Sequence, residues 1–133
     1  MKKWVLFLAV SGMAFQLAAA ETNSPAPFKI GTGEAAKYYD REMIVTGAVA
    51  QVTIRPKIVF LNLDKPYPDS PFTLVILPAA TNQFGDLKAF KGKYVEVTGK
   101  IKNYHDRPEI VLTGTNQLLV TGSAGLTAAP NVN

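Results

Sequence analysis

The chain has 133 residues, 47% of them hydrophobic and 18% charged, with a formal net charge of +4. That is the size and composition of one globular domain, without collagen-like or low-complexity bias. It holds no cysteine and a single histidine, which excludes disulfides, thiol chemistry, Cys-based zinc sites and any His-rich metal site.

The first twenty residues stand apart. Met1-Lys2-Lys3 is positively charged, Trp4 to Leu17 is apolar, and Ala18-Ala19-Ala20 is small. This is the pattern of a secretory signal peptide over residues 1–20, cut before Glu21. The apolar stretch is shorter than the ~20 residues a membrane span needs, and no cysteine is available for a lipid anchor, so the expected product is exported, periplasmic or secreted, with no membrane span. Cleavage leaves 113 residues and, with two lysines lost, a charge of +2. Without disulfides such a chain depends on its core, and this length is sufficient to bury one. Residues 21–28 read as a polar, Pro-punctuated lead-in and residues 29–120 as the folded unit. The small, uncharged, aperiodic residues 121–133 read as a disordered tail.

Within 29–120, Glu34 to Asp40 follows Gly33 and predicts a short N-terminal helix. Met43 to Ile54 is rich in β-branched residues and broken once by Gly47, which predicts a strand with a bend. Arg55-Pro56-Lys57 turns into the apolar strand Ile58–Leu63. Three prolines (Pro66, Pro68, Pro71) make residues 64–71 a loop, and Phe72–Leu77 is a further apolar strand. Asn82 to Phe90 predicts a short helix. Lys93 to Asn103 alternates, with Val95, Val97 and Ile101 on one side and Tyr94, Glu96, Thr98, Lys100 and Lys102 on the other, which is a half-buried strand. Tyr104 to Pro108 turns, and Glu109–Leu112 returns as a strand. Val45-Thr46-Gly47-Ala48-Val49 is echoed by Val97-Thr98-Gly99-Lys100-Ile101, as if two long strands each bent at a glycine to close a barrel. The fold expected is therefore all-β: a five-stranded OB-fold barrel with a short N-terminal helix and a short helix between strands 3 and 4.

Phe60-Leu61-Asn62-Leu63, Tyr67-Pro68, Pro71-Phe72-Thr73 and Val75-Ile76 resemble the second and third strands of bacterial exported OB-fold domains of the tRNA-anticodon-binding-like type. Gly92 to Ile101, Tyr104, Arg107-Pro108-Glu109-Ile110 and Gln117-Leu118 are similar to their fourth and fifth strands. Together the likeness spans residues 43–118. It implies a nucleic-acid-binding module or a small exported protein. The usual glycine before the Arg-Pro-Glu run is Asp106 here, a residue that also tolerates tight turns.

An OB-fold binds along strands 2 and 3, between the loops that follow strands 1 and 4. Those positions hold Arg55 and Lys57 in the first loop, and Lys102, Tyr104, His105 and Arg107 in the second. Tyr67 lies between, with Phe60, Asn62 and Phe72 on the strands. Cations for phosphates interleaved with rings for bases suit a single-stranded nucleic acid or another polyanion. The positive excess is modest and lies late in the chain: residues 88–133 carry six Lys+Arg against three Asp+Glu. Each residue has a structural alternative. Lys100 and Lys102 also suit a solvated outer strand face, Arg107 can pair with Asp106 or Glu109, Tyr104 can pack, Tyr67 can pin its loop, and Phe60 and Phe72 read as core.

Catalysis finds no support. His105 stands beside Asp106 without a serine or second carboxylate, and the acids are scattered without ligand spacing. Gly31-Thr32-Gly33 is not a nucleotide-binding glycine motif. The expectation is no enzyme and no cofactor. The other open readings are an envelope protein partner and an oligosaccharide or small ligand, the last weakened because Trp4 is lost with the signal.

Overall fold

The computed structural model describes residues 25–123. The expected signal peptide at 1–20, the start of the expected lead-in and residues 124–133 of the expected tail lie outside the described residues. The sheet is organised on one long strand, β2, Glu42–Arg55. Met43, Val45 and Val49 on its inner side are buried. Its first half pairs antiparallel with β5, Lys93–Lys100; its second half pairs antiparallel with β3, Ile58–Leu63. Between the halves the register shifts from Val49 to Gln51, so Ala50 is the extra residue of a bulge, which bends the strand and lets it serve both ladders.

The main strand order is β6, β7, β4, β3, β2, β5, β8. Here β4 is Phe72–Ile76, β6 Lys102–Tyr104, β7 Arg107–Leu112 and β8 Leu118–Ser123. β1, Lys29–Gly31, joins β2 in parallel, and β4 and β7 are also parallel. The all-β, OB-like expectation holds, but the sheet has eight strands rather than five and is an open path rather than a closed barrel. Three physical causes account for the difference. The alternating run Lys93–Asn103 divides at Ile101, whose N–H donates to the Arg41 carbonyl while its own carbonyl accepts from the Asp40 N–H. Beyond it the chain pairs with β7 instead of β2. β1 adds a strand in the lead into the domain, and β8 adds one on β5, carrying the sheet three residues past the expected boundary at 120.

The two echoing glycines do not mark bulges. The β2–β5 register runs unbroken through Gly47 and Gly99; both are places of close approach. A Cβ on Gly99 would sit 2.7 Å from Ile110 Cγ2, and one on Gly47 would sit 2.9 Å from Thr32 Cγ2 and 3.1 Å from an Asp64 carboxylate oxygen. Gly99 therefore lets β5 pack against β7 where no ladder joins them.

The helices are shorter than expected. The first is a 3-10 helix, Thr32–Lys37. The second is α1, Pro78–Thr81, with proline in its first turn, followed by 3-10 turns Asn82–Phe84 and Leu87–Phe90. Gly85, at φ 63°, breaks the run, and Asp86 then caps the next turn by accepting from the Lys88 N–H at 3.1 Å. This segment contributes buried Ala80, Phe84 and Leu87 to the core, which also holds Leu61, Leu63, Phe72, Leu74, Ile76, Ile110 and Leu112.

Leu74, fully buried, should cost ~2–5 kcal/mol of stability when truncated to alanine. Gly99→Ala should cost ~1–3 kcal/mol because Ile110 must move. Urea denaturation midpoints measure both, and a neutral Gly99→Ala would refute the close-packing role.

Candidate functional site

Alternation assigns the faces of the β2–β3–β4–β7–β6 ladder. Val59, Leu61 and Leu63, then Phe72, Leu74 and Ile76, then Ile110 and Leu112 point into the core. Phe60, Asn62, Thr73, Val75, Arg107, Glu109 and Val111 are left on the outer side. Because the bulge at Ala50 changes the phase of β2, Gln51, Thr53 and Arg55 pair with outward residues of β3. The registers then align two rows. One is apolar and runs from Thr53 through Phe60 and Val75 to Val111; the other is polar and runs from Gln51 through Asn62, Thr73 and Glu109 to Lys102.

The polar row is internally bonded. Asn62 Nδ2 donates to Gln51 Oε1 at 3.0 Å, and Thr73 Oγ1 donates to Asn62 Oδ1 at 2.9 Å. Asn62 is only 4% exposed, so these bonds offset its desolvation. Gln51 Oε1 also accepts from the Tyr67 N–H at 2.9 Å, which fastens the 64–71 loop to the edge of the face. At the other end of the row, burial raises the Glu109 carboxyl above its usual range, with Lys102 opposing the shift.

One end of the face carries the aromatic and cationic groups. Tyr104 pairs with Arg107 across the β6–β7 hairpin. The two residues between, His105 and Asp106, both have positive φ (48° and 62°), the geometry of a tight two-residue hairpin turn. Asn103 Oδ1 accepts from the Asp106 N–H at 2.9 Å and closes it. Asp106 thus fills the place of the usual glycine without losing the turn. The His105 ring stands edge-on to Tyr104 at 4.3 Å, and the Arg107 guanidinium lies 5.3 Å from the Tyr67 ring centre. Tyr67 and Tyr104 remain 68% and 59% exposed.

The structure therefore brings Tyr67, Lys102, Tyr104, His105 and Arg107 together. Arg55 and Lys57, also exposed, do not join them: their turn lies at the opposite end of β3, about 17 Å away at the strand's rise per residue. The sequence-derived constellation is thus divided between the two ends of one sheet face. Phe72 is core as expected, whereas Phe60 lies half-buried on the outer side. Sequence reasoning missed Gln51, Thr73 and Glu109. Pairing Gln51 with Asn62 requires knowing where the bulge falls.

A folded-state carboxyl raised above 4.5 binds more protons than the unfolded chain, so its contribution to stability falls as pH rises through that window. Glu109→Gln should flatten the decline, read from urea midpoints at pH 4.5 and upward; an unchanged pH profile would show that Glu109 is not desolvated.

No protein-family model and no curated protein matches the sequence. Solved structures do match in fold. The OBody AM1L10 bound to hen egg-white lysozyme is 12% identical at a TM-score of 0.53, covering 71% of this chain and 93% of the OBody. An aspartyl-tRNA synthetase from Leishmania major is 12% identical at 0.52, and the asparaginyl-tRNA synthetase from Pyrococcus horikoshii is 15% identical at 0.51. The matches cover 77% and 71% of this chain but only 22% and 23% of the synthetases. At these identities the likeness establishes an OB-type fold and nothing finer.

Proposed function

We propose that this is an exported, non-catalytic OB-fold module that binds single-stranded nucleic acid across the outer face of β2, β3, β4, β7 and β6. The observation that carries this reading is the cluster of exposed rings and cations, Tyr67 with Arg107 and Tyr104 with His105, at one end of a hydrogen-bonded polar row. Exposed rings stack bases irrespective of sequence, at ~1–3 kcal/mol per base. Arg107 and Lys102 at that end, with Arg55 and Lys57 at the other, supply phosphate contacts across a span of a few nucleotides. Two similar structures belong to tRNA synthetases, in keeping with a nucleic-acid ligand. The edge-on packing of His105 against Tyr104 supports a part in binding for this hairpin.

A protein partner in the cell envelope is the second reading. It is favoured by the OBody seated on lysozyme and by the residue types of the cluster, since Tyr and Arg are also the anchors of protein interfaces.

Fluorescence anisotropy of labelled single-stranded DNA and RNA oligomers separates the two. With few phosphates contacted, affinity should fall as salt rises, with a slope of only a few units on logarithmic axes. Tyr67→Ala and Tyr104→Ala should each weaken binding about 5- to 150-fold, the equivalent of one lost stack. Arg55→Ala with Lys57→Ala should lower the salt slope. Glu109→Gln should tighten binding by removing a negative charge from the face. No binding at low salt would retire the nucleic-acid reading in favour of a protein partner.

A further inference from the structure

The other half of the sheet carries a groove of about 430 Å³ on the outer side of β1, β2, β5 and β8. That is within the size range of small-ligand pockets, and none of its lining residues belongs to the face described above. Thr46, Tyr94 and Glu96 form its floor, pointing outward opposite the buried Val45, Val95 and Val97.

Two glycines keep it open. A Cβ built on Gly31 or Gly33 meets nothing within 4 Å, and neither has a positive φ. Packing and backbone conformation thus make no demand for glycine at either position, in contrast to Gly47 and Gly99. Both line the groove, so a side chain at either position would narrow it.

The lining chemistry selects the occupant. The Tyr94 ring lies beside Gly122, where a Cβ would sit 3.6 Å from Cδ2, and it remains 49% exposed: a flat apolar surface open to a ligand. Around it are oxygen acceptors. Glu96 is already paired with Lys29 at 2.8 Å, and the Asp64 carboxylate accepts from the Thr32 hydroxyl and from the Ala48 N–H at 2.9 Å. Both carboxylates retain acceptor lone pairs, and their charge opposes phosphate. A basic side chain would be drawn by Asp64 alone, because Lys29 already neutralises Glu96. A ring face for C–H groups beside acceptors for hydroxyls suits a neutral polyhydroxylated ligand.

We propose that this groove binds a neutral hexose unit of a glycan, stacked on Tyr94 with its hydroxyls donating to Glu96 and Asp64. The proposal is independent of the nucleic-acid reading.

The test is an amide NMR titration of the chain with maltotetraose, cellotetraose and tetra-N-acetylchitotetraose, each to about 10 mM, an affinity limit typical of weak ligands. At least one sugar should shift the amides of Gly33, Gly47, Tyr94 and Glu96 saturably. Tyr94→Ala and Gly33→Leu should each weaken that binding tenfold or more. Gly33→Leu enters open space and should leave the melting temperature unchanged, which separates blocking from unfolding. Tyr67→Ala should leave sugar binding intact. Two results would overturn the proposal: binding retained in both groove variants, or no shift at the groove with any of the sugars, in which case a shift with a hexalysine peptide would assign the groove to a cationic ligand instead.

Discussion

Everything in this fold depends on β2 belonging to two ladders at once. A strand can do that only if its side-chain phase changes where it leaves one partner for the other, and the extra residue at Ala50 makes the change. Contacts on both sides hold the bulge in place. The Asp64 N–H donates to the Ala48 carbonyl at 2.7 Å while its carboxylate accepts from the Ala48 N–H, and the Gly92 N–H donates to the Val49 carbonyl at 2.8 Å. Asp64 reaches this geometry with φ at 64°, a conformation tolerated best by glycine, Asn and Asp. Its two bonds to Ala48 outweigh the modest strain.

The same bulge sets which side chains reach each of the two surfaces. Before it, β2 turns Thr46 outward into the groove; after it, Gln51, Thr53 and Arg55 turn outward onto the other face. Gly47 lies between, bare of a side chain so that Thr32 and the Asp64 carboxylate can lie against the strand. One strand thus supports two surfaces of different chemistry, and the clamp that fixes the bulge also forms a wall of the groove.

How much of this was legible in sequence follows from where the signals are local. β3 and β4 announced themselves by continuous apolar content, and β5 by clean alternation. The Tyr104–Arg107 hairpin was legible because His105 and Asp106 had to turn within two residues. The bulge was not: Ala50 is an ordinary strand residue, and the glycine that drew attention, Gly47, serves a close approach instead. That error of phase hid Gln51. β8 was missed because Thr121, Gly122 and Ser123 carry no apolar period, yet Leu118 packs against the core and Tyr94 covers Gly122. The two loops that hold Arg55 with Lys57 and Arg107 were legible as the two sides of one surface, but the distance between them was not, since it depends on β4 and β7 being parallel, a pairing between segments far apart in the chain.

Net charge says little about ligand choice, because it is the local arrangement that differs between the two surfaces. On the β3–β4 face the cations sit at the two ends and the centre is a row whose amide and hydroxyl groups already hold one another in place. A ligand entering there meets side chains whose rotamers are set, so less ordering entropy opposes binding than on a surface of free chains. In the groove, Lys29 and Glu96 offset each other and Asp64 is occupied by internal donors, leaving shape, a ring and acceptors. Salt screens interactions between exposed charges but scarcely affects stacking or neutral hydrogen bonds. Ionic strength should therefore act far more on a polyanion at the first surface than on a neutral ligand at the second.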